Sequence, residues 1–176
     1  MIYLLLSIAV IIIGLIVAIA MQPSEFVVSR SAAISAPAAA LFAQVNDFHN
    51  WEGWSPWIQL DPTAKNAYAG APSGEGAIFT WNGNSKVGAG KMTLLESRPN
   101  TLIKIKLEFF KPFKATNTAQ FTFIPGGDLT TVTWSMSGKN NFMAKAFGMV
   151  MDCDKIIGTM FDKGLVNLQD ATRKKA

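Results

Sequence analysis

The residues that could support catalytic or metal chemistry are few in this 176-residue chain. It has one histidine, His49, and one cysteine, Cys153. A single histidine cannot form a two-histidine metal site, and it leaves no spare base for a Ser-His-Asp triad. A single cysteine excludes an internal disulfide and a thiolate metal cluster within one chain. The sequence therefore predicts no metal site and no cofactor.

Acid–base chemistry would require a carboxylate whose pKa is raised by burial, or one that is paired with a positioned partner. The carboxylate candidates are Asp152 and Asp154, and Arg30 and Tyr68 are the candidate partners. A surface salt bridge or a helix cap explains the same residues without catalysis. We expect no catalytic residues. The enzymatic alternative requires Arg30, Asp154 and Tyr68 to point into one cavity.

Large apolar side chains at regular spacing point to binding more strongly than these polar residues point to catalysis. Small-molecule sites are mostly apolar with few polar groups, although packing of the core explains the same aromatic residues. A buried indole N–H needs a partner, and methionines adapt to ligands of different shape. The predicted ligand-binding positions are Phe79, Trp81, Phe109, Phe121, Trp134, Met136, Met143, Phe147 and Met151.

Three of the five tryptophans, Trp51, Trp54 and Trp57, fall within seven positions. They could form a lid over a pocket. They could also form a membrane-facing patch, because tryptophan favours the membrane interface, or a packed corner of the core. The segment is predicted to be a short irregular helix or a loop.

The elements that must position these residues follow from apolar periodicity. A first strand is predicted from Phe26 to Ile34, and a helix follows Pro37. Short alternating segments from Asn66 onward indicate an antiparallel meander, with a hairpin turn at 82–85. From Phe142 to Thr172 the apolar spacing predicts one long helix.

About six strands with a single apolar face can bury that face only by curling around the last amphipathic helix. The predicted fold is therefore α+β, with a curved antiparallel sheet wrapped around a long C-terminal helix. We assign this domain to residues 26–172 and a basic tail to residues 173–176. The net charge of +4 is scattered, without the clustered basic and aromatic residues of a nucleic-acid surface, so we expect no nucleic-acid partner.

An apolar helix precedes the domain. The segment Ile2–Met21 has no charge and no proline, and about twenty residues at ~1.5 Å each match the ~30 Å hydrocarbon core. We predict a single-pass membrane anchor at residues 1–22 and a linker at residues 23–25. The sequence does not indicate on which side of the membrane the domain lies. The alternative is a cleaved signal segment, because Ala18-Ile19-Ala20 has the pattern of a cleavage site.

Two stretches resemble a known family. One is Val45-Asn-Asp-Phe-His-Asn-Trp-Glu-Gly-Trp-Ser-Pro-Trp57 with Leu60-Asp61-Pro62, and the other combines residues 154–158 and 161–168. They are similar to the START-like (SRPBCC) superfamily, in particular its bacterial polyketide cyclase/dehydrase group. The resemblance implies a helix-grip fold with a cavity between the sheet and the last helix.

The function expected from this resemblance is a membrane-anchored protein that binds a hydrophobic small molecule such as a lipid, an isoprenoid or a polyketide. The alternatives are a cyclase- or dehydratase-like enzyme and a membrane-proximal protein-interaction module that uses the tryptophan segment. Fold alone does not decide among them. The sequence indicates no particular protein partner.

Overall fold

A computed structural model describes residues 1–173, so most of the basic tail predicted at 173–176 lies outside the described residues. These residues contain four α-helices: α1 (Ile2–Ala20), α2 (Ala38–Asn46), α3 (Phe142–Gly148) and α4 (Cys153–Arg173). Short 3₁₀ helices cover Phe48–Gly53 and Ile58–Leu60. The strands are β1 (Glu25–Ile34), β2 (Lys65–Gly70), β3 (Ala77–Asn82), β4 (Ala89–Arg98), β5 (Leu102–Lys111), β6 (Ala115–Gly126) and β7 (Leu129–Lys139).

The seven strands form one antiparallel sheet in the order β1-β7-β6-β5-β4-β3-β2. Strands β2 to β7 are a meander, and β1 joins it beside β7, with Arg30 opposite Trp134. The predicted α+β helix-grip fold, with an apolar helix before it, is confirmed.

Alternation along the strands determines which face of the sheet is buried. On β5, Ile103 and Ile105 are fully buried, whereas Lys104 and Lys106 on the other face form ion pairs with glutamates. Because successive strand residues point to opposite faces, this pattern requires one wet face and one covered face. The inner face of β1 and β7 is covered by α4, whose Phe161, Leu165 and Leu168 lie in the core.

The prediction of one continuous C-terminal helix is wrong, because the chain breaks between α3 and α4. Each part has its own N-terminal cap. Asn141 Oδ1 accepts the Ala144 N–H at 2.8 Å, and Asp152 Oδ1 accepts the Lys155 N–H at 2.9 Å. Such caps satisfy N–H groups that have no partner inside a helix. The apolar periodicity continues across the break, so periodicity alone could not locate it.

The hairpin between β3 and β4 is also longer than predicted, because the loop covers residues 83–88. Asn84 organises it: its carbonyl oxygen accepts the Gly88 N–H at 2.8 Å, and its side-chain oxygen accepts the Lys86 N–H at 2.8 Å. Gly88 has φ of +64°, a conformation that glycine adopts without a steric cost.

Helix α1 is long and apolar enough to cross a membrane, judged by its length and composition. Most of it has no protein neighbour, and its buried residue is Ile19 in the last turn. A signal sequence near an N-terminus has the same properties.

The join between α1 and the domain is held by hydrogen bonds. The Asn140 side chain donates to Pro23 O at 3.1 Å, and its backbone N–H donates to Ser24 O at 2.9 Å. The Lys145 ammonium donates to Ala20 O at 3.0 Å, which ties α3 to the end of α1. The linker therefore holds α1 beside α3.

Candidate functional site

A cavity of about 1240 Å³ lies between the inner face of β3 to β7 and the α3–α4 segment. Its closed end is bounded by buried side chains, among them Trp51, Phe79 and Met92. Its walls are mainly apolar. Pockets for drug-sized molecules measure ~300–1,000 Å³, so this cavity has room for a larger ligand.

The mouth of the cavity is marked by residues that line it and are also exposed. Phe147, Met149, Val150 and Met151, from the end of α3 and the turn after it, form one side. Lys114 and the residues after it form the opposite side, and the neighbouring Phe113 packs against Phe147 with ring centroids 5.5 Å apart. The opening therefore lies beside the end of α3 and close to α1.

Seven of the nine predicted ligand-binding residues line this cavity. They are Phe79, Trp81, Phe109, Trp134, Met136, Phe147 and Met151. Their positions are consistent with the binding role proposed from the sequence.

The other two predicted residues, Phe121 and Met143, are not on the cavity wall. Phe121 is fully buried behind it and stacks on Trp134 at 4.7 Å. Met143 lies on α3 and is about half exposed. Strand alternation gives the face of a residue but not its depth, so it could not separate core from wall at Phe121.

In the structure the tryptophan segment forms a packed corner, which is one of the three alternatives. Trp54 is fully buried, and its Nε1–H donates to Gln44 O at 3.2 Å. Trp51 is 4% exposed and donates to Val45 O at 2.9 Å. Trp57 is half-buried against Trp134 and Phe161, at 5.3 and 5.9 Å between centroids. Trp51 and Trp57 line the cavity.

The two tryptophans among the predicted ligand-binding residues, Trp81 and Trp134, differ in their hydrogen bonding. Trp81 Nε1–H donates to Val87 O at 3.0 Å. Trp134 Nε1–H is buried without a hydrogen-bond partner among residues 1–173. The Trp134 ring is held between Phe121 and Phe161, stacked on each, so packing fixes its orientation despite the unsatisfied donor.

Asn117 is a buried polar residue on the wall that sequence reasoning missed. Its Nδ2 donates to Met136 Sδ at 3.9 Å, and a thioether is a weak acceptor. The alternation of β6 could have found it, because Asn117 is in phase with the inward residues Ala119 and Phe121. It offers an amide to the interior of the cavity.

Asp61 is the second missed polar residue of the wall. Its carboxylate accepts the Thr63 hydroxyl at 2.7 Å, the Thr63 N–H at 3.1 Å and the Asn84 N–H at 2.7 Å. The hydrogen bond from the Thr63 side chain and that from the Asn84 backbone lower the pKa of Asp61, because both favour the charged form. Asp61 therefore holds the β3–β4 loop against the wall as an anion.

The residues of the enzymatic alternative do not meet in the cavity. Arg30 forms ion pairs with Asp154 at 2.9 Å and Asp162 at 3.5 Å, and none of the three lines the cavity. The hydrogen bond from Arg30 lowers the pKa of Asp154, which opposes a role as a proton donor near neutral pH.

Tyr68 is engaged elsewhere and is also absent from the cavity wall. Its hydroxyl donates to Glu52 Oε1 at 2.8 Å, and its ring stacks on His49 at 4.0 Å. Burial, and then the bond to Glu52, raise the pKa of Tyr68. Asp152, the remaining candidate, lines the mouth but serves as the cap of α4. Within residues 1–173 there is no group of three or more His, Cys, Asp or Glu side chains placed to hold a metal ion.

Comparison with known proteins agrees with this geometry. The sequence profile of a family described as polyketide cyclase / dehydrase and lipid transport matches residues 25–172. The chain belongs to this family. Its START-like resemblance is thereby confirmed, and a ligand-binding domain is supported. No protein with a curated function matches the chain.

Solved structures share the fold at low sequence identity. A Mesorhizobium loti protein, MLL2253, is 19% identical with a TM-score of 0.59, and the match covers 86% of this chain and 99% of that one. A Chromobacterium violaceum protein, CV1439, is 11% identical with a TM-score of 0.61, covering 83% and 96%.

The di-domain ARO/CYC protein StfQ of the steffimycin biosynthetic pathway has a TM-score of 0.61 at 7% identity. The match covers 86% of this chain and 52% of StfQ. At these identities the likeness to each protein concerns the fold alone.

Proposed function

We propose that this protein binds a hydrophobic small molecule in the cavity while α1 holds it at a membrane. The ligand class is a lipid, an isoprenoid or a polyketide-like compound. The observation that carries the proposal is a large, mainly apolar cavity whose mouth lies beside the end of a membrane-length helix. Family membership supports the same class of ligand.

The cavity wall favours binding over catalysis. Its closed end presents aromatic and aliphatic side chains, which would bury the apolar body of a ligand. Asn117 is placed to bond a polar group of that ligand. The charged Asp61 is already occupied by three donors, and Arg30, Asp154 and Tyr68 lie elsewhere.

The single-pass anchor is the second part of the proposal. Residues 1–22 would form the anchor, residues 23–25 the linker and residues 26–172 the binding domain. The hydrogen bonds of Asn140 and Lys145 to the linker and to α1 support a tether that keeps the mouth near the bilayer. A ligand that partitions into the membrane would then reach the cavity over a short distance.

The test is native mass spectrometry of the full chain in detergent with added lipids, comparing two matched substitutions. Ala119→Phe places a ring on the inner face, where Ala119 lines the cavity, and Ala33→Phe places one on the exposed outer face. We expect the wild type and Ala33→Phe to retain bound lipid and Ala119→Phe to lose most of it. An empty wild-type protein, or equal loading of both variants, contradicts the proposal.

A further inference from the structure

A group of large apolar side chains around the mouth is exposed. We call it the mouth face. All its members lie in α3, in the turn that follows it or in the β5–β6 connection, and all are 44% exposed or more. They are Phe113, Phe142, Met143, Phe147, Met149, Val150 and Met151.

No described part of the chain covers this face. Val150 is 87% exposed, the highest value in the group. A group of exposed large apolar side chains on a folded domain marks a site of contact with a membrane or another molecule. These residues lie on short connecting elements, so the packing of the sheet against α4 does not force their side chains into solvent.

The position of α1 identifies the partner. Lys145 of α3 donates to Ala20 O in the last turn of α1, and Ile19 of that turn is buried. If Ile2–Ala20 spans a bilayer, its last turn lies at the bilayer surface, and α3 lies at the same level. A helix of apolar side chains at that level meets lipid at the boundary between headgroups and acyl chains.

Charge around the face fits an anionic lipid surface. Lys114 and Lys139 line the cavity, Lys111 lies two residues before Phe113, and Lys145 lies on α3, where its ammonium also donates to Ala20 O. Four basic residues reach the lower end of the cluster size associated with anionic lipid binding. Asp152 is an acidic residue at the mouth, and its side chain is used to cap α4.

From these observations we propose that the mouth face docks onto the bilayer surface, with Phe147, Val150 and Met151 in the acyl boundary and the lysines among anionic headgroups. The cavity then opens directly into the lipid phase. This inference rests on the membrane part of the proposed function and adds to it a second contact besides α1. It does not depend on which molecule occupies the cavity.

Spin-label depth measurements on the full chain in nanodiscs test the docking. In a Cys153→Ser background the chain has no other cysteine, so single labels are introduced by Val150→Cys and by Val166→Cys. Val166 is the matched control, because it is also an exposed valine, 61% exposed, but on α4 away from the mouth. A third label, at Val10 in α1, reports on the anchor.

We expect the label at position 150 to be accessible to oxygen and shielded from a water-soluble relaxation agent, at a depth of roughly 5–10 Å. The label at 166 should be aqueous, and the label at 10 should be deep. Adding phosphatidylglycerol to phosphatidylcholine nanodiscs should increase the shielding at 150. An aqueous label at 150 overturns the docking, as does protection by a second protein molecule without lipid contact. Shielding that is unchanged by phosphatidylglycerol overturns the role of the lysines.

Lipid loading of the wild type, measured separately, distinguishes the two proposals. An aqueous label at 150 together with a loaded cavity refutes the docking and leaves ligand binding standing. A shielded label at 150 together with an empty cavity supports the docking and refutes ligand binding.

Discussion

Replacing Gly164 of α4 by alanine should destabilise the folded protein, although alanine has a higher helix propensity than glycine. A Cβ built on Gly164 would lie 2.6 Å from Trp134 Cζ3 and 3.3 Å from Pro56 Cδ. Carbon atoms in good contact are ~3.5–4.0 Å apart, so the shortfall at the indole is about 1 Å. The ring cannot yield easily, because Phe121 and Phe161 stack on its two faces.

The magnitude of the effect of Gly164→Ala follows from two opposing contributions. Overpacking a well-filled core costs ~1–3 kcal/mol, and the locked indole places this site in the upper half of that range. Alanine recovers about 1 kcal/mol of helix propensity relative to glycine. The net destabilisation is about 1–2 kcal/mol, or roughly 2–8 °C in Tm for a domain of this size.

The assay is thermal unfolding of the full chain followed by near-ultraviolet circular dichroism, which also reports on the packing of Trp134. Gly158→Ala, six residues earlier in α4, is the matched control. The three atoms nearest its added methyl all belong to the Arg30 guanidinium, which can move at the expense of ion pairs that contribute little. We expect Gly158→Ala to leave Tm unchanged or raise it. If Gly164→Ala raises Tm as well, the packing of Trp134 against α4 is not as described.

Two further predictions concern the polar residues of the cavity wall. Asp61 has a lowered pKa in the folded state, so its contribution to stability is present above about pH 4 and is lost as the pH falls through the folded pKa. The Tm of Asp61→Asn should therefore fall less than that of the wild type between pH ~7 and ~3. An equal fall would contradict the hydrogen bonds of Asp61 to Thr63 and Asn84. For Asn117→Leu we expect about 2- to 10-fold weaker binding of a fatty acid, because one hydrogen bond to its polar group is lost. Binding of an alkane of the same chain length should be unchanged. If a titration shows equal loss of affinity for both ligands, Asn117 acts through packing.

The fold could be predicted largely from the sequence, because the strands of this sheet have one wet face and one covered face. The alternation of Ile103 and Ile105 with lysines shows directly which side chains of β5 face the core. The break between α3 and α4 could not be found, because it depends on two local caps, at Asn141 and Asp152, inside a segment of continuous apolar spacing.

The site was predictable only in part. Residue type, combined with strand phase or helical spacing, correctly selected seven of the nine predicted positions as cavity wall. These patterns do not reveal whether an inward residue lies behind the cavity wall, as Phe121 does. They also do not reveal that the Trp51 and Trp54 indoles donate hydrogen bonds to backbone carbonyls. These distinctions depend on three-dimensional packing between elements distant in the chain.

The pairing of β1 with β7 has a consequence for biosynthesis. Glu25 lies opposite Lys139, so the first strand obtains its ladder partner only after about 110 further residues have been made. At ~5–20 residues per second this delay is about 5–20 s. During that interval β1 is an unpaired strand directly behind an apolar helix, and residues Phe26 and Val28 have no core to enter. If α1 has already entered the membrane, it keeps this strand at the bilayer surface until the meander is complete. The pairing of β1 with β7 is then the last step in forming the sheet, although β1 is synthesised before the other strands.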